Sequence, residues 1–95
     1  MSLKENFDNI SKYLAIHAEE LNHLSNTEKL EIYGYYKQGA FGDCNIDRPG
    51  MMKYKERAKW DAWNSRKGIS KEESMEKYIQ LVKIYLPNCK HLICN

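Results

Sequence analysis

Tyr33, Tyr36 and Lys37 stand at i, i+3 and i+4 in the run IYGYYKQ, so on a helix they are neighbours on one face. Leu30 lies one turn earlier on the same side. A second run, KERAKW, sets Lys55 and Lys59 at i, i+4, with Trp60 directly after Lys59. Tyr78 belongs to a further stretch of helical spacing. Lysine offers phosphate a point charge, a phenol offers a hydrogen bond, and a ring offers a stacking face. If these helices face one another, the cleft between them suits a ligand with a phosphate, a purine ring and a hydrocarbon tail. The same spacing also suits a plain core, because aromatic residues at helical intervals pack inward and exposed lysines keep a helix solvated. Spacing alone leaves both readings open.

The elements that must carry these residues can be read from caps and periodicity. Ser2 and Glu5, Ser25 and Glu28, and Ser70 and Glu73 each have the spacing of a capping box. After the first box, Phe7, Ile10 and Leu14 share a face, and this helix is expected to end near Ala18 to Glu20. The second helix, NTEKLEIYGYYKQGA, is expected to run to about Gly39–Gly42. GDCNIDRPGMM follows as a long ordered loop, rich in turn residues and with Pro49 pushing Arg48 towards extended geometry. A third helix covers KERAKWDAWNSRK and stops at Gly68. The fourth starts at Ser70, places Met75, Tyr78, Ile79 and Val82 on one face, and is closed by Pro87. NCKHLICN shows no pattern, and residues 88–95 are read as a flexible tail. With no strand alternation and no internal repeat, the expectation is an all-α four-helix bundle, a single domain over residues 1–95. Met1 to Leu3 fit either a native start or a cloning remnant.

Charge narrows the choice of partner. The net charge of +2 is too weak to argue for nucleic acid, but residues 1–36 hold three lysines against six carboxylates while residues 37–95 hold twelve basic residues against seven. That asymmetry favours a local anionic ligand over general stickiness. Three cysteines, Cys44, Cys89 and Cys94, cannot all pair within one chain, and without a secretory signal they indicate reduced thiols and a cytoplasmic setting. Cys89, His91 and Cys94 lack a fourth partner and a recognised metal spacing, so no metal is expected. Glu19–Glu20 and Glu72–Glu73 read as solvated helix ends, and His17 and His23 as solvated residues of the first junction. No nucleophile–base pair or phosphate-binding glycine loop is present, so no catalytic residue is assigned and the chain is expected not to be an enzyme.

The segments IYGYYKQGAFGDCN and RPGMMKYKERAKWDAWNSRKGISKEESMEKYI resemble the acyl-coenzyme A binding protein family. The shared marks are the tyrosine–x–x–tyrosine–lysine–glutamine run, the arginine–proline–glycine loop and the lysine–tryptophan–x–alanine–tryptophan run, in register over residues 27–83. The resemblance implies that Tyr33, Lys37 and Lys59 hold the 3′-phosphate of coenzyme A and that Tyr36 lies on the adenine. It further implies ligand contacts from Lys55 and Tyr78, and an acyl groove between the second and third helices that includes Leu30 and Ala58. Lys29 departs from the pattern, standing where an apolar groove residue is common, and a contact usual from the end of the first helix has no counterpart assigned here. The expected function is that of an intracellular carrier or buffer of long-chain fatty acyl-coenzyme A esters, with no cofactor. A monomer is expected, in transient contact with membranes or ester-using enzymes and without nucleic acid. The competing readings are a protein-interaction module and a small nucleic-acid binder using the basic third helix, although Glu56 and Asp61 interrupt that helix's positive face.

Overall fold

In the computed structural model, which describes residues 2–92, helix α1 spans Leu3–Ile16, α2 Asn26–Phe41, α3 Tyr54–Asn64 and α4 Lys71–Tyr85. Two short 3₁₀ helices, Ala18–Leu21 and Pro87–Leu92, follow α1 and α4. The described residues form four α-helices and no strand. Each expected serine caps its helix: Ser2, Ser25 and Ser70 accept from the backbone N–H of Glu5, Glu28 and Glu73, all at 3.1 Å. Glu5 and Glu28 also accept from the backbone N–H of Ser2 and Ser25, which completes the box on α1 and α2. At the other end of α2, Gly42 takes φ +82°, a conformation that favours glycine. α1 ends earlier than the sequence suggests, at Ile16, and α3 stops at Asn64; the chain then reaches Gly68, φ +91°, through turns.

The core gathers Phe7, Ile10 and Leu14 of α1, Ile32 of α2, and Met75, Tyr78, Ile79 and Val82 of α4. α4 packs against both α1 and α2, and α3 against α2. Backbones α1 and α2 are thus held on a common partner instead of on each other, and their side chains meet where Phe7 stacks on Tyr36 at 5.7 Å. The α2–α3 crossing is close: a Cβ on Gly34 would lie 2.6 Å from the backbone oxygen of Ala62.

The segment after α4 corrects the expectation of an unstructured tail from residue 88. Leu86 and Cys89 are 2% and 0% exposed and belong to the core, because the 3₁₀ helix folds back onto α4 and α1. Cys94 lies outside the described residues, as do the side chains of residues 90–92. Cys44 and Cys89 are free thiols, and no cluster of metal-binding side chains occurs among the described residues. No helix there is long and apolar enough to cross a membrane.

A candidate ligand site between the first and second helices

A cavity of about 510 Å³ opens where α1 and α2 diverge. α1 contributes Ser11, Leu14 and Ala15 to its wall, and the 3₁₀ helix after it contributes Leu21. α2 supplies Lys29, Leu30, Ile32, Tyr33 and Tyr36, α3 supplies Lys59, and α4 supplies Tyr78. The lining is chiefly hydrocarbon and aromatic, with two lysines, Lys29 and Lys59, in its wall. The Nζ of Lys59 lies 5.6 Å from the centre of the Tyr33 ring, an arrangement in which the ring face supports the ammonium. Tyr36 and Tyr78 meet with their centroids 6.1 Å apart. Burial pushes the Tyr33 phenol upward, helped by the nearby Cys44 and Tyr36, so it stays a hydrogen-bond donor at neutral pH. Tyr78 is 3% exposed, and burial pushes its hydroxyl to about 12 despite contact with Ser11. Its ring forms the floor of the cavity.

The loop into α3 is fixed by its own bonds. Arg48 donates from Nε and Nη2 to the two carboxylate oxygens of Asp61 at 3.0 and 2.9 Å, and Trp60 Nε1 donates to the Ile46 carbonyl at 2.8 Å. The Arg48 guanidinium holds the Asp61 carboxyl below its usual range. Beneath the loop, the buried Gln38 donates to Asp43 at 2.8 Å and to the Ile69 carbonyl at 2.9 Å, while Trp63 Nε1 donates to the Gly42 carbonyl at 2.8 Å. These anchors tie the α2 end to α3 and so set the position of Lys59 against Tyr33.

Of the residues singled out in the sequence, the structure brings Leu30, Tyr33, Tyr36, Lys59 and Tyr78 to one cavity. Lys37 does not line it. Its Nζ sits 4.4 Å from the Phe41 centroid and 4.7 Å from that of Trp63, one turn further along α2. Lys55 is exposed on α3, a turn before Lys59, and is also outside the lining. Ala58 borders a separate groove of about 430 Å³ between α2 and α3, which it shares with Leu30, Glu31, Asp61 and Arg66. That groove is more polar than the first. Sequence reasoning missed the α1 wall, although Ser11, Leu14 and Ala15 at i, i+3 and i+4 carry the signal of a shared face. His23 is exposed, as expected, with Nε2 3.2 Å from the Tyr85 carbonyl oxygen, while His17 is half-buried with its ring tilted against Tyr13 at 4.4 Å between centroids.

A small helical bundle with a largely apolar, tyrosine-lined cavity and lysines in its wall defines a binder of amphipathic anions. Residues 4–82 match the family described as acyl CoA binding protein, and this chain belongs to that family. The chain is similar to acyl-CoA-binding domain-containing protein 6 of Arabidopsis thaliana, 48% identical over 87 residues that cover 87% of each protein. It is also 45% identical to an acyl-CoA-binding protein of Ricinus communis, over 87% of this chain and 89% of that one. Its fold superposes on the crystal structure of Oryza sativa acyl-CoA-binding protein 2 with a TM-score of 0.77, at 39% identity, covering 98% of this chain and 100% of the other.

Proposed function

We propose that this chain binds long-chain fatty acyl-coenzyme A esters and serves in the cytoplasm as their carrier or buffer, with binding itself as the function. The observation that carries the reading is the cavity in which Lys59 rests on Tyr33 and most of the wall is hydrocarbon and aromatic. The charge fixes the headgroup, and apolar walls take a tail out of water. Each buried CH₂ adds on the order of 0.8 kcal/mol, so affinity is expected to climb steeply with acyl length. In calorimetric titration, the hexadecanoyl ester should bind at least a hundredfold more tightly than coenzyme A or the acetyl ester. Equal affinity for acetyl and hexadecanoyl esters would remove the reading. The protein acts as a monomer and meets membranes and ester-using enzymes only in passing, to load and unload.

A further inference from the structure

Lys29 lines the same cavity as Lys59, one turn of α2 before Tyr33, against whose ring Lys59 rests. It precedes Tyr33 by four residues, about 6 Å along the axis of α2 at 1.5 Å per residue. The lining it joins is largely hydrocarbon, including Ala15, Leu21 and Leu30. Lys29 is the fourth residue of α2, where the positive end of the helix dipole disfavours a cation. No carboxylate among the described residues forms an ion pair with it. The acids on the surrounding elements are engaged elsewhere. Glu28 accepts from the Ser25 N–H at 2.8 Å, Glu31 from the Tyr85 hydroxyl at 3.0 Å and Glu20 from the Tyr13 hydroxyl at 3.4 Å, while Glu19 lies 3.4 Å from the His17 ring. A half-buried lysine in a largely apolar lining, with an unfavourable dipole and no ion-pair partner among the described residues, is a cost the fold itself does not offset.

We propose that Lys29 reads an anionic group of the ligand other than the one that Lys59 holds. The inference rests on the ester-binding reading above. Two parts of such an ester can supply that anion: the 5′-diphosphate, present in every coenzyme A ester, or a carboxylate that closes the acyl chain. The surrounding chemistry is the same for both, an ammonium facing anionic oxygen, and the ligand series separates them.

The test titrates the full chain and three variants, Lys29→Met, Lys29→Arg and Lys12→Met, with coenzyme A, its hexadecanoyl ester and its hexadecanedioyl ester. Methionine keeps an unbranched side chain without the charge. Lys12 is exposed on α1 outside the cavity and reports the general positive field. Lys29→Met is expected to weaken an anionic probe at least tenfold, Lys29→Arg to keep most of the affinity, and Lys12→Met to change it less than twofold. A loss shared by coenzyme A itself assigns the diphosphate, and a loss confined to the hexadecanedioyl ester assigns the chain's carboxylate. A smaller loss, an equal loss from Lys12→Met, or a loss on the hexadecanoyl ester alone overturns the inference. Binding of the hexadecanoyl ester to the unaltered chain is measured first, because its absence removes the ester reading itself and not merely the role of Lys29.

Discussion

Lys37 is held by Phe41 and Trp63, which lie 4.4 and 4.7 Å from its ammonium. A cation on an exposed ring is worth about 0.5–1 kcal/mol, whereas a charge-assisted bond to phosphate is worth about 1.5–3 kcal/mol, so an arriving 3′-phosphate would draw Lys37 away from the rings. Trp63 fluorescence is therefore expected to shift with the natural ester and not with its dephospho form. Trp63→Phe should abolish that shift; if Trp60→Phe abolishes it, Lys37 does not move. Lys59 already lines the cavity, and Lys59→Ala is expected to weaken the natural ester at least tenfold while leaving the dephospho ester nearly unchanged. Tyr78 offers a separate check on burial. Its hydroxyl is pushed from 10.0 to about 12, so the folded state keeps its proton over a range where the unfolded chain has lost it. The neutral phenol's contribution is complete below pH 10 and declines as pH rises towards 12, a loss of roughly 2–3 kcal/mol. Denaturant titrations across that interval should show a shallower decline for Tyr78→Phe. Parallel slopes would place the titration on other groups.

Among the elements, the α2–α3 crossing is the joint on which the site depends, because α3 brings Lys59 to Tyr33 and packs against α2. A Cβ at Gly34 would approach the Ala62 carbonyl oxygen to 2.6 Å, and that backbone cannot swing away as a side chain could. Gly34→Ala is expected to destabilise the protein by about 1–3 kcal/mol, offset in part by about 1 kcal/mol of helix propensity, and to weaken the ester by moving Lys59. Gly39→Ala meets only side chains, Phe7 and Met75, at 3.2 Å, and should be milder. Thermal melts of the two variants give the comparison; an equal or greater loss at Gly39 would show that the crossing yields easily. The helices themselves were legible in the sequence because the serine caps and the apolar face of α4 are local signals. Their ends were less legible. α1 stops at Ile16 and α3 at Asn64, where 3₁₀ and turn geometry takes over without a glycine or proline to announce it.

At the scale of the whole molecule, α4 and the turn after it close the core. Leu86 and Cys89, at 2% and 0% exposure, fill the space between α4 and α1, so truncation after Tyr85 is expected to destabilise the bundle by several kcal/mol. Urea unfolding measures this, and an unchanged midpoint would restore the view of residues 88–95 as a dispensable tail. The hydrophobic pattern missed this segment because its two core residues are too few and too close to the chain end to establish a period. By itself the sequence determined an all-α bundle, the four helices and the family, since caps, apolar faces and the tyrosine–lysine and lysine–tryptophan runs are carried by residues near one another in the chain. It also singled out Leu30, Tyr33, Tyr36, Lys59 and Tyr78, which the fold gathers around one cavity. Only the tertiary structure decided that α1 forms the opposite wall, that Lys37 turns to Phe41 and Trp63, that Ala58 borders a different groove and that Lys29 faces the cavity with no ion-pair partner among the described residues. The physical reason is that a cavity is the gap left when α1 and α2 both pack on α4, and no single helix's spacing encodes the distance between two others.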